Sequence, residues 1–178
     1  MSTRAVPIPA ACALAATRHD ADFADAWEVL VPASSLTATE IYRALSRQTP
    51  GWINRLMRLR NQLVQPLGLK DLGALSAVPS GEAVPGQRMG LFEVVSVEPD
   101  ELVLQDDDNH LVVRLSVLKQ GHDASHDKLT LSTVVHIHNR LGRAYMLFVG
   151  PAHKIIAPAL LRRAPAAVAG LRQSTHEP

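Results

Sequence analysis

The sequence predicts an α+β protein in which a curved antiparallel sheet wraps around a long C-terminal helix, with two shorter helices after the first strand. Three observations carry this reading. Within NRLGRAYMLFVGPAHKIIAPALLRR (Asn139 to Arg163), the stretch from Ala144 to Leu161 has only His153 and Lys154 as strongly polar residues. Such a segment is a helix buried on nearly all sides or a membrane span. Upstream, Leu91 to His138 reads as a meander of strands. In its last two, Leu111, Val113, Leu115 and Val117 share a face by period-two alternation, as do Leu131, Thr133, Val135 and Ile137. Those faces need an apolar partner, and the terminal helix is the one available. The gap between sheet and helix is the natural place for a ligand cavity.

Along the chain, residues 1–20 read as a flexible arm, because Pro7 and Pro9 disfavour a helix. The run AVPIPAACALAA is a weaker apolar core than a cleaved leader needs. In DFADAWEVLVP, Phe23, Asp25, Trp27, Val29 and Val31 alternate with their neighbours as in an edge strand, and Pro32 ends it. Thr37 with Glu40 is a capping-box signature ahead of a short helix with Ile41, Ala44 and Leu45 on its apolar face. Pro50 suits the first turn of a second helix. That helix carries Trp52, Ile53, Leu56, Leu59, Leu63 and Val64 on one face and stops at Pro66 and Gly68. Lys70 to Gly90 is rich in glycine and proline, a candidate lid with a short strand near Ala74 to Val78. Turns are expected at Glu98–Asp100, at Asp106–Asn109 and in the polar loop Lys119–Lys128. A single domain over 21–164 follows, with 165–178 as a disordered tail.

The 47% apolar content of these 178 residues suffices for a sizeable core. A net charge of +1 gives no overall pull on nucleic acid. Locally, the turns from Glu98 to Asp108 are acidic. The C-terminal segment sets Arg140, Arg143, Lys154, Arg162, Arg163 and Arg172 against Glu177 alone. Cys12 is the sole cysteine, so no intrachain disulfide and no cysteine-type zinc site forms, as suits a cytoplasmic protein. Ala144 to Leu161 barely reaches spanning length. Pro151 and Pro158 interrupt it, and a central lysine costs about 2.5–3.5 kcal/mol on insertion, so burial is favoured over a span.

The blocks DFADAWEV, TPGWINRLMRLRNQLVQPLGLK, HLVVRLSV, TVVHIHNRLGRAYM and PAHKIIAPALLRR, in this order, resemble a bacterial family known as domain of unknown function 2867. The resemblance runs from Ala21 to Ala164. The family is found alone or fused behind a dehydrogenase-like domain; here no GxGxxG follows a strand. The element order is similar to the START-like, helix-grip (SRPBCC-type) architecture, whose members often bind hydrophobic small molecules or lipids. That analogy implies a fold and leaves function open.

For chemistry, Arg140, Arg143 and Tyr145 at the strand-to-helix junction, with His153 on the helix, are candidate polar contacts for a cavity ligand. Arginine binds anionic groups bidentately and imidazole titrates near neutral pH. The structural alternative is favoured for the junction: Asn139 caps the helix and Gly142 permits close packing. No nucleophile or paired carboxylate accompanies His153 in sequence, so an enzyme is the weaker reading; Tyr145 shares its face, and Tyr42 is a further interior hydroxyl. His110, His136 and His138 are a weak metal alternative. They share a strand face with Arg114, Ser116 and Ser132 that reads as convex and wet, and a cation beside a metal is unfavourable. Arg55, Arg58 and Arg60 with Trp52, Ile53 and Leu56 form a basic amphipathic helix, for which transient membrane contact is the alternative to a solvated face. Nucleic acid is not expected, for want of an aromatic platform. The leading expectation is a cofactor-free module binding a hydrophobic small molecule or lipid. The alternatives are a cyclase- or isomerase-like enzyme and an accessory module for a dehydrogenase-like partner.

Overall fold

The computed structural model describes residues 2–64 and 77–174. The elements are β1 (Arg4–Ala5), a 3-10 helix (Ala13–Arg18), β2 (Phe23–Pro32), α1 (Ala38–Arg47) and α2 (Gly51–Val64). There follow β3 (Arg88–Met89), β4 (Phe92–Val97), β5 (Glu101–Asp108), β6 (Leu111–Gly121), β7 (His126–Ile137), α3 (Arg140–Leu161) and α4 (Ala164–Ser174). All strands join one open, curved antiparallel sheet in the order β1-β2-β7-β6-β5-β4-β3. The α+β class, the long bent C-terminal helix and the two shorter helices after the first strands are as the sequence predicts. Pro151 and Pro158 lie inside α3 and account for its bend, because each removes a helical N–H.

Local sequence signals explain most boundaries. The Thr37 hydroxyl accepts from the Glu40 N–H at 3.2 Å, and the Glu40 carboxylate accepts from the Thr37 N–H at 2.7 Å, completing the capping box. The Asn139 carboxamide accepts from the Gly142 N–H at 3.1 Å and starts α3. Three strands are longer than the turn signals suggest. β5 continues through Asp106 to Asp108, paired with Val113 to Leu111, and the turn is Asn109–His110. The ladder with β6 outweighs the turn preference of three consecutive aspartates. Strands β6 and β7 likewise extend to Gly121 and His126, shortening the expected loop. The expected stop of α2 at Pro66 and Gly68 and most of the expected strand at Ala74–Val78 lie outside the described residues, as does the first part of the lid.

The two faces of the sheet are packed differently. On one, Val29, Val31, Leu102, Leu104, Leu115, Val117 and Leu129 meet Ile41, Tyr42, Ala44 and Leu45 of α1, Leu161 of α3, and Ala164, Ala167 and Val168 of α4. This is the face the alternation of β6 and β7 predicts as apolar. Its cover is shared among three helices, which corrects the expectation that one helix is enclosed by the sheet. With α1 and α4 occupying the sheet, α3 buries only its inner edge, and Leu147, Phe148 and Ile155 stand in solvent. Residues 164–174, expected as a tail, form α4. Its apolarity comes mainly from small alanines and so gives a weak periodic signal.

The opposite face is not wet. Residues 2–20, expected as a flexible arm, pack across it: β1 pairs with β2, and Ile8, Cys12 and Leu14 join Ala26, Val103, Leu118 and Val134 in a second core. Ser116 and Ser132 are wholly buried beneath them. Strand β2 is therefore covered on its outer side at Trp27 and Glu28 instead of being a free edge, and the Arg4 guanidinium reaches Glu28 at 2.7 Å. Helix α2 also departs from expectation. Ile53 is buried with Leu91, while Trp52 and Leu59, assigned to the same inner face, are exposed.

Candidate functional site

Asp25 and Thr133 are directly opposite each other on β2 and β7, and both face the helices. His153 of α3 descends onto this pair. Its Nε2 lies 3.1 Å from Asp25 Oδ1 and 3.1 Å from Thr133 Oγ1. The other Asp25 oxygen accepts from the Trp27 indole N–H at 3.1 Å. Phe23 meets the imidazole edge-on at 5.8 Å. A carboxylate on Nε2 fixes the tautomer with hydrogen on that nitrogen, leaving Nδ1 with its lone pair. Because Asp25 and Thr133 converge on the same nitrogen, the group is not a relay of acid, base and nucleophile. It is an imidazole oriented through one nitrogen by a carboxylate and a hydroxyl.

One position further along the same sheet face lies an apolar cavity of about 50 Å³, which the pair itself does not line. Leu115, Val117 and Leu131 form the floor, Tyr42, Leu45, Ser46 and Thr49 one wall, and Leu160 and Leu161 another. Leu115 is the cross-strand partner of Thr133, and Leu131 that of Trp27, so floor and polar cluster are consecutive positions on the same sheet face. Tyr42, expected in the interior, is there. Burial pushes its phenol up to about 12, and its hydroxyl is 3.4 Å from the Met89 carbonyl.

Tyr145 and His153, expected on a common face, belong to different clusters. Tyr145 packs between α2 and the β5–β6 turn. Its hydroxyl accepts from Arg60 Nε at 3.1 Å, the guanidinium lies 5.4 Å from the ring, and His110 meets the ring edge-on at 5.4 Å. His110 is 3% exposed, and neither ring nitrogen has a hydrogen bond. Asp108 lies 3.4 Å from Nδ1, close enough for attraction but outside hydrogen-bond geometry. Burial, helped by Arg60 and His138 and opposed by Asp108 and Asp106, lowers the basicity of His110. Arg140 and Arg143 are exposed and are not among the residues lining the cavity beneath α1. At that junction the structural roles hold. A Cβ on Gly142 would stand 2.2 Å from the His110 carbonyl oxygen, so only glycine lets α3 approach the turn this closely.

The three histidines do not gather. His136 faces the N-terminal segment, 3.5 Å from Asp20, His138 is exposed, and His110 is buried under Tyr145. Among the described residues no group of three or more histidine, cysteine or acidic side chains is placed to hold a metal ion. The sequence reading missed Asp25 and Thr133 as partners of His153. Asp25 gave a signal: it is the one acid on the strand face shared by Phe23, Trp27, Val29 and Val31.

Fold and site define an α+β sheet-and-helix domain with a small apolar cavity beside a carboxylate–imidazole pair. The family model described as "Protein of unknown function (DUF2867)" matches residues 17–160, and the chain belongs to that family. Comparison with curated proteins and with solved structures gave no match.

Proposed function

We propose that this domain binds a small, mainly apolar molecule with one polar end, held between the sheet and helices α1 and α3. The observation that carries this is an apolar cavity whose floor residues Leu115 and Leu131 are register neighbours of the Asp25, Thr133 and His153 cluster, so that a ligand outgrowing the cavity along the sheet meets that cluster. Binding sites pair apolar walls with a few convergent polar groups in this way. Tyr42, Ser46 and Thr49 stand along one wall but present almost wholly apolar surface to it, the Tyr42 and Thr49 hydroxyls being directed to the Met89 and Ser46 carbonyls. A cavity of about 50 Å³ admits only a few heavy atoms. A larger ligand enters by selecting a conformation in which α1 or the end of α3 stands further from the sheet. Native mass spectrometry of the purified protein, compared with a denatured sample, tests this. A retained apolar molecule, lost in Val117→Trp, is the expected result. No retained mass, together with no binding of an apolar fluorescent dye sensitive to Val117→Trp, sinks it.

The oriented His153 favours a second reading, an acid–base enzyme of the isomerase or cyclase type. On that reading His153→Gln leaves binding of the retained molecule intact and abolishes its conversion. Equal loss of binding and turnover would make His153 a ligand contact only.

A further inference from the structure

Five of the seven large apolar side chains exposed among the described residues lie on two helices. They are Trp52 (44%) and Leu59 (51%) on α2, and Leu147 (75%), Phe148 (81%) and Ile155 (64%) on α3. The helices run antiparallel and meet through side chains at two places. Arg60, late in α2, meets Tyr145, early in α3, while Ile53, early in α2, clusters with Ile156 and Leu160, late in α3. At helical spacing, Phe148, Pro151 and Ile155 form one stripe of α3, opposite the Gly150, Ala157 and Leu161 edge that meets the sheet. Trp52 and Leu59 form a stripe of α2 that, in an antiparallel pair, falls on the same outward side.

The charge of these two helices is of one sign. They carry Arg55, Arg58, Arg60, Arg140, Arg143 and Lys154 and no aspartate or glutamate. Of these, Arg55, Arg58, Arg140, Arg143 and Lys154 are exposed. We propose that this α2–α3 face is a docking surface for an anionic lipid bilayer, with Trp52, Phe148 and Ile155 entering the interface and the cations lying against the headgroups. Apolar side chains whose own helices carry only cations match such a surface in both respects. A second copy of the chain fits poorly, since it would set two cation-only faces against each other.

The helix lies on the bilayer and does not cross it. The helical run Arg140–Gln173, which includes α3, is long and apolar enough to span by length and composition, but His153 within it is tied to Asp25 and Thr133 of the sheet. This inference stands apart from the ligand reading. It brings Leu160 and Leu161, at the cavity wall, to the end of the membrane-facing helix.

The test is co-sedimentation with vesicles of equal parts phosphatidylcholine and phosphatidylglycerol, against vesicles of phosphatidylcholine alone. Binding to the anionic vesicles only, weakened by added salt, is expected. The double variant F148E/I155E, on solvent-facing positions, should bind at least about tenfold more weakly with an unchanged melting curve. Trp52 fluorescence should shift to the blue on binding, and W52F should abolish the shift. Absence of binding to anionic vesicles overturns the proposal. So does full binding by F148E/I155E, which would leave only surface charge at work. A dimer seen by light scattering, dissociated by F148E/I155E and indifferent to vesicles, would assign the face to self-association instead.

Discussion

His110 shows how one side chain can carry a pH dependence for the whole fold. Both ring nitrogens are buried without a hydrogen bond, so a proton taken up there is poorly solvated. Burial first, then Arg60 and His138, hold its pKa below the ordinary 6.5, with Asp108 and Asp106 opposing. In the unfolded chain the imidazole regains its ordinary value. Below about pH 6.5 the unfolded state therefore binds more protons than the folded one. The stability from keeping His110 neutral is present above the unfolded pKa and lost as pH falls through the folded one. Urea midpoints measured near pH 7.5 and near pH 5.5 should fall on acidification, and His110→Phe, which keeps the ring contact with Tyr145, should flatten that fall. An identical slope in the variant would place the acid sensitivity elsewhere. The surroundings of this residue were poorly legible in sequence. His110 reads as the first residue of a strand, whereas Arg60 and Tyr145 arrive from helices remote along the chain. Asn139 and Gly142 were legible because caps and close-packed turns are local, within a few residues of their partners. The partnership of His153 with Asp25 spans 128 positions and is set by the β2–β7 register together with the docking of α3.

At the scale of elements, the N-terminal segment has the largest gap between appearance and role. Its prolines and alanines give no helical or strand period, so it reads as an arm. Yet Ile8, Cys12 and Leu14 close the second core over Ser116 and Ser132. Glu101 clamps it from below, accepting from the Ala13 N–H at 3.0 Å and from the Ser116 hydroxyl at 2.5 Å. Burial raises the Cys12 thiol above its ordinary range, so little thiolate is available. Cys12 in the folded protein should react with an aromatic disulfide reagent far more slowly than in urea. Leu14→Asp, which buries an unpaired charge in the same cluster, should destabilise the fold by about 2–4 kcal/mol and expose the thiol. Fast reaction of the wild-type thiol under native conditions would mean that the segment lifts off readily. The misassigned faces of α2 and α3 have a related origin. Periodicity tells which residues of a helix are apolar, but not whether another helix has already taken the place against the sheet. Here α1 and α4 take it, and the apolar outer faces remain exposed.

For the whole molecule, the sheet order divides the domain into a firm part and a yielding part. Strands β5, β6 and β7 are paired on both sides, and their faces are covered by the helices on one side and the N-terminal segment on the other. Amides of Leu115 to Leu118 and Leu129 to Val135 should exchange with solvent only through global unfolding. Residues 77–87, which join the sheet by a few bonds to residues 90–94 instead of a full ladder, and α2, which is packed on one side, should exchange through smaller openings. The proposed binding cavity lies across this division. Its floor, Leu115, Val117 and Leu131, belongs to the firm strands, while Tyr42, Ser46, Leu160 and Leu161 sit on helices that contribute little to the strand ladder. A ligand larger than the cavity has to lift that roof, because displacing the floor would break ladder bonds on two strands at once. A bound apolar molecule should therefore slow exchange in α1 and at the end of α3 while leaving β6 and β7 unchanged. If β6 and β7 amides exchange as fast as those of α1, the sheet is not the unit that unfolds last, and a rigid floor with a movable roof is excluded as the way in.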